Sequence, residues 1–211
     1  MSVLVAFVRE AQPGRPAEVR DVLRASAQSA TQAHRGIRTY QVLQGRAQSN
    51  LYVELVEWES RRAFQQAMDL LRERDEQLRS QFLRSAHVRV YRPLEVVRVR
   101  RREPQGVGVG LVRVKPGSED EFAKIMVEQL RNRIRERPGL LASGLYQGED
   151  EPQQFLIRNA WDSEEEMLAH RAWMTREVLP ATDPHVSRRE LLDLLMRWHY
   201  RQTPLASPEA V

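Results

Sequence analysis

Apolar positions along the chain fall into two sets that follow the same order of periods. Residues 3–8 and 107–114 are short, nearly continuous apolar runs, the pattern of buried strands. Each is followed by a Pro-Gly turn and then by apolar residues at helical spacing. These are Val19, Val22, Leu23, Ala27 and Ala30 in the first set, and Phe122, Ile125, Met126, Leu130 and Ile134 in the second. Pro16 suits a first helical turn, and Ser118 with Glu121 has the spacing of a capping box. Gly36 and Gly139 stand where a left-handed residue would end each helix. Second strands are predicted over 37–43 and 140–146, and third strands over 51–58 and 155–161. Ser60 and Ser163 then cap second helices, Ser163 forming another capping box with Glu166. A fourth strand covers 87–91 and 94–99. Its counterpart near 191–200 carries Leu191, Leu192, Leu194, Leu195 and Trp198, a spacing that a helix face would also show. The repeat calls for a strand there.

The two sets are copies of one unit. Pro13-Gly14, Gly36 and Trp58-Glu59-Ser60 recur as Pro116-Gly117, Gly139 and Trp161-Asp162-Ser163, at a constant offset of 103. The order βαββαβ is the split arrangement of a ferredoxin-like fold. Such a sheet carries helices on one face and leaves the other bare. Two copies therefore cover each other by packing bare faces and joining edges. The expected fold is α+β, two tandem ferredoxin-like units packed as a pseudo-dimeric α/β barrel. The expected division is a first unit at 1–98, a linker at 99–105, a second unit at 106–203 and a tail at 204–211.

Composition narrows the class. Of 211 residues, 41% are hydrophobic and 29% charged, as in a soluble globular protein. No apolar run approaches the ~20 residues that cross a bilayer, and the chain starts on a strand-like run rather than a basic leader, so the expected compartment is the cytoplasm. There is no cysteine, which excludes disulfides and thiolate chemistry. Net charge is +4, and Arg72-Glu73-Arg74-Asp75-Glu76 reads as a solvated helix face with intrahelical pairs. The basic cluster, residues 98–102, falls at the joint and reads as a solvated linker rather than a nucleic-acid site.

Three stretches carry recognisable words: Val112-Arg113-Val114-Lys115-Pro116-Gly117-Ser118-Glu119-Asp120-Glu121-Phe122, Arg137-Pro138-Gly139-Leu140 and Asn159-Ala160-Trp161-Asp162-Ser163-Glu164-Glu165. They resemble the antibiotic biosynthesis monooxygenase (ABM) family across 106–200 and, more weakly, 1–98. The resemblance implies a dimeric α+β barrel fold. It implies one of three activities: cofactor-free monooxygenation of polyphenols and quinols, haem degradation, or binding without turnover, as in a stress-associated protein. In the first case a phenol-type aromatic and O₂ meet in an apolar pocket, with no cofactor and no metal. Haem-degrading relatives carry Asn on the first strand, which neither copy has, leaving His170 or His185 as the alternative iron ligand.

Aromatic and polar side chains suited to such a pocket concentrate in the second copy. Tyr146, Arg158, Asn159, Trp161, Trp173, His185 and Trp198 are the candidate substrate contacts, so the active pocket is expected there, with the first copy a scaffold. Trp161, like Trp58, ends a strand before a helix cap and also reads as packing. His170 is the candidate base: it lies one turn after Met167 and one before Met174, on the stripe facing the sheet. The competing reading is a partly exposed helix histidine. Gly106-Val107-Gly108-Val109-Gly110 lies in a strand and lacks the spacing of a nucleotide loop. Glu166 and His170 share a helix face without a second histidine, so no metal site is expected. The partners expected are a small aromatic molecule and O₂, not nucleic acid or membrane. The internal pseudo-dimer leaves pairing of two chains open.

Overall fold

The computed structural model describes residues 2–201, apart from the side chains of Arg201 and of residues 69–75, 77, 79 and 80. The tail at 204–211, the second unit's expected end at 203 and the side chains of Arg72-Glu73-Arg74-Asp75 lie outside the described residues. The first unit comprises β1 (Val3–Ala11), α1 (Pro16–Ala33), β2 (Ile37–Gly45), β3 (Leu51–Trp58), α2 (Arg61–Gln81) and β4 (Leu83–Arg98). The second comprises β5 (Gly106–Val114), α3 (Glu119–Gln129), β6 (Leu140–Gly148), β7 (Gln154–Trp161), α4 (Glu164–Glu177), a short α5 (Leu179–Thr182) and β8 (Val186–Arg201). The segment near 191–200 is therefore strand.

All eight strands pair antiparallel in one closed barrel, ordered β1-β3-β2-β8-β5-β7-β6-β4. Closure depends on the two long strands. Residues 83–91 of β4 pair with β1, and residues 91–98 pair with β6 of the other unit. Likewise residues 186–195 of β8 pair with β5, and residues 194–201 with β2. Each fourth strand thus serves both units, and the barrel has no free edge.

Strand alternation sorts the apolar residues into three cores. Leu4, Ala6, Leu43, Val53, Leu55, Val107, Val109, Leu156 and Leu194 fill the barrel. On its outer surface, Val3, Val5, Phe7, Tyr40 and Trp58 pack against Val19, Leu23 and Ala27 of α1 and Phe64 and Ala67 of α2. Val112, Val114, Phe155 and Trp161 pack against Phe122 and Met126 of α3 and Met167 and Met174 of α4. Registers match between copies: Val3 faces Trp58, and Gly106 faces Trp161.

The repeated landmarks are corner joints. The Gly36 carbonyl accepts the Glu59 N–H at 2.8 Å, and the Gly139 carbonyl accepts the Asp162 N–H at 3.0 Å. A Cβ on Gly36 would lie 2.6 Å from the Ala63 Cβ; one on Gly139 would lie 2.6 Å from Asp162 Oδ1 and Glu166 Cγ. Two helix-end expectations are corrected. Gly36 is not left-handed, and its requirement is this close approach. Gly139 does have φ +70°, but it lies in the turn before β6, past the π-helical turn Leu130–Ile134 and its C-cap Arg135. The Ser118–Glu121 capping box does not form either. Ser118 sits at ψ 5° and makes no side-chain cap bond. Ser60 and Ser163, at ψ 159° and 158°, are extended as a cap requires. They accept the Ala63 and Glu166 N–H groups, both at 3.1 Å.

Among the described residues, three ion pairs cross between units: Arg131 with Glu95, and a matched set, Arg46 with Glu164 and Arg61 with Glu149. Under the offset of 103, position 46 matches 149 and position 61 matches 164. The matched pairs are one contact made twice, with both arginines on the first unit and both glutamates on the second. Among the described residues, no helix is long and apolar enough to cross a membrane.

Candidate active site

The two copies differ most on the outer face of their first strands. In β1 that face carries Val3, Val5 and Phe7, all buried against the helices. The equivalent positions of β5 are Gly106, Gly108 and Gly110. A Cβ on Gly106 would come within 2.9 Å of Met167 Sδ, whereas one on Gly108 would meet no atom within 4 Å. Gly108 and Gly110 line a cleft of about 50 Å³ between β5 and α4, with Asn159, Trp161, Met167, His170, Met174 and Asp193 among its other walls.

His170 projects from α4 into this cleft and is 4% exposed, which excludes the reading as a partly exposed histidine. Its ring packs at 4.5 Å from Trp161 and 5.4 Å from Trp173. Nε2 faces Asn159 Nδ2 at 3.5 Å, and the Ser143 hydroxyl donates to Asn159 Oδ1. With the amide so oriented, Asn159 presents its N–H₂ and Nε2 is the acceptor, which puts the imidazole proton on Nδ1. Nδ1 is buried and has no hydrogen-bond partner among the described residues. Burial, and secondarily the Arg137 charge, lowers the His170 pKa to about 3. The ring is therefore neutral near physiological pH. At the rim, Arg171 of α4 pairs with Asp193 of β8.

The matching region of the first unit is closed. Val56 and Ala67 replace Asn159 and His170, and both are buried. Arg9 and Glu54 form a fully buried ion pair there, with the Tyr40 hydroxyl also donating to Glu54.

The structure separates the residues singled out from sequence. His170, Asn159 and Trp161 meet in the cleft. Tyr146 and Arg158 lie on the other face of the sheet, inside the barrel. Trp173 touches the His170 ring but sits between the Arg133 and Arg137 guanidiniums, at 5.1 and 4.8 Å. His185 is half-buried in the 3₁₀ turn Asp183–His185 before β8. Trp198 packs on the first unit's core, with Arg24 over its ring at 5.8 Å. The glycines, Ser143, Arg171 and Asp193 were not anticipated. Only the glycines had a legible signal, their departure from Val3, Val5 and Phe7 one repeat earlier. Among the described residues, no three His, Asp or Glu side chains gather as a metal site would require.

Comparison with known proteins gives a consistent picture. The sequence profile of the antibiotic biosynthesis monooxygenase family matches residues 1–72 and 107–173. No curated protein matches the chain. An anthrone oxidase-like protein of solved structure superposes with TM-score 0.77 at 12% identity, covering 95% of this chain and 92% of that one. A candidate monooxygenase from Fusobacterium nucleatum subsp. nucleatum ATCC 25586 gives 0.76 at 10% identity, covering 95% and 94%. One from Lactobacillus acidophilus NCFM gives 0.72 at 13% identity, covering 95% and 96%. At such identities the likeness is one of fold.

Proposed function

The chain belongs to the antibiotic biosynthesis monooxygenase family, and from that premise we propose that it is a cofactor-independent monooxygenase of an electron-rich phenol, quinol or anthrone. The reaction belongs to the β5–α4 cleft of the second unit. The observation that carries this reading is the buried Ser143–Asn159–His170 relay over a strand stripped of side chains, in one copy only. Membership of the family and the fold shared with an anthrone oxidase-like protein support it.

The substrate anion gives one electron to O₂, and the resulting radical and superoxide join in a C–O bond. The hydroperoxide then loses water, leaving a carbonyl: a C–H carbon and O₂ become C=O and H₂O. Protein groups supply position, a proton acceptor and dryness. In this reading the substrate oxygen enters between Asn159 Nδ2 and the neutral His170 Nε2, which face each other at 3.5 Å. A histidine of pKa about 3 is a weak base for a phenol near 10; the gap of about seven units is ~10 kcal/mol. It narrows when the phenolate forms against the imidazolium in a dry site. Acidic quinols and anthrones are therefore the favoured class, and turnover should rise along a series as substrate acidity rises. A ring also needs more space than about 50 Å³. Met167 and Met174 have the side-chain freedom to provide it, and the Arg171–Asp193 pair opens the rim.

Oxygen uptake with a panel of hydroquinones and anthrones tests the proposal. Uptake that falls about a hundredfold in Asn159→Ala and His170→Gln supports it. Absence of uptake by the wild-type protein, with an aromatic ligand retained, supports binding without turnover.

A further inference from the structure

Arg158 and Asn159 are adjacent on β7 and so point to opposite faces of the sheet. Asn159 enters the α4 cleft, while Arg158 enters the barrel. There its Nη2 donates to Gln41 Oε1 at 2.8 Å, the Tyr146 hydroxyl lies beside it, and its buried Nε has no partner among the described residues. No carboxylate pairs with it among the described residues. Arg158 is half-buried, and a partly desolvated guanidinium is best served by an anion within reach of its fork.

The space beside Arg158 shows where a counter-ion fits. One mouth of the barrel holds a cavity of about 630 Å³ lined by Arg158 and by Arg98, Arg100, Arg101 and Arg102, against a single carboxylate, Glu57. Arg98 lies 3.7 Å from Glu57, and Arg100 lies 3.8 Å from Asp162. Arg101 and Arg102 have no carboxylate partner among the described residues. The joint between the units is strapped across this mouth: the Arg100 N–H donates to the Leu141 carbonyl at 3.2 Å, and the Gln105 N–H to that of Trp161 at 2.9 Å. The arginine run is thereby anchored over the opening.

We propose that this mouth is a binding site for a small organic anion with two or more negative charges, a polycarboxylate or a phosphate ester. Arg158 meets the anion at the base, and Arg101 and Arg102 close over it at the rim. The volume lies within the range of small-molecule sites. Guanidinium forks match carboxylate and phosphate oxygens bidentately. A nucleic-acid backbone would reach the rim alone, because Arg158 is recessed. The site lies across the sheet from the proposed oxidation cleft and does not depend on it.

Isothermal titration calorimetry at low ionic strength tests this, with inorganic pyrophosphate and citrate as probes and a single-stranded oligonucleotide for comparison. One site per chain is expected for at least one probe, and which probe binds identifies the chemistry. Affinity should fall about tenfold or more in Arg158→Gln and severalfold in Arg101→Ser/Arg102→Ser. It should be unchanged in Arg89→Gln, at the opposite mouth. Thermal midpoints recorded alongside show that each variant is folded, and the rim pair gives an independent reading if Arg158→Gln is not. Absence of heat with both probes overturns the proposal. So does undiminished affinity in a folded Arg158→Gln, or tighter binding of the oligonucleotide that depends on the rim arginines alone.

Discussion

His170 is the residue whose environment has the clearest consequence. Its pKa is about 3 in the folded protein and 6.5 in the unfolded chain. Between those values the unfolded chain takes up a proton that the native state refuses, so acid favours unfolding. The stabilisation is fully present above pH 6.5 and is lost as pH falls toward 3, on the order of 5 kcal/mol in total. His170→Gln removes this dependence. Urea denaturation across pH 7 to 4 should show a steeper loss for the wild type than for the variant, and parallel curves would contradict the assignment. His170 was legible because helix spacing places it between Met167 and Met174. Arg158 and Tyr146 lie apart from the cleft because side chains alternate along a strand: next to Asn159, Arg158 has to face the other way. Trp198 lies apart from it for a less local reason, since the end of β8 pairs with β2 and packs on the first unit.

At the scale of elements, most strands and helices were legible from period and punctuation, and the misses lie where backbone geometry rather than residue type decides. Ser118 has the right neighbour for a capping box but the wrong ψ. Gly36 looks like a helix terminator and is instead a contact point with α2. The glycines of β5 lack the spacing of a nucleotide loop, and their meaning lies in the face they share. Gly36 and Gly108 therefore make opposite predictions. Gly36→Ala forces a methyl against Ala63 and should cost about 1–3 kcal/mol. Gly108→Ala adds a methyl in open space and should be neutral, or stabilise by about 0.5–1 kcal/mol by relieving a strand glycine. Chemical denaturation of the two variants checks both.

At the scale of the molecule, two copies of one module share long strands and close a barrel within a single chain. The matched inter-unit ion pairs show how the copies have become complementary. Two first units brought together the same way would oppose Arg46 to Arg61, and two second units Glu149 to Glu164. Charge thus favours pairing of unlike copies. Arg46→Glu should lower the thermal midpoint, and adding Glu164→Arg should restore it; additive losses would contradict the pairing. The packing of the two copies differs along the same line, with one closed around Arg9–Glu54 and the other open at Gly108. The central claim is that this opening is where oxidation occurs. Oxygen uptake by Gly108→Val, which installs the side chain that β1 carries at Val5, tests it most directly. The expected result is a folded protein with an undiminished thermal midpoint that no longer consumes O₂ with a quinol or anthrone turned over by the wild type. Undiminished uptake by that variant would contradict the claim.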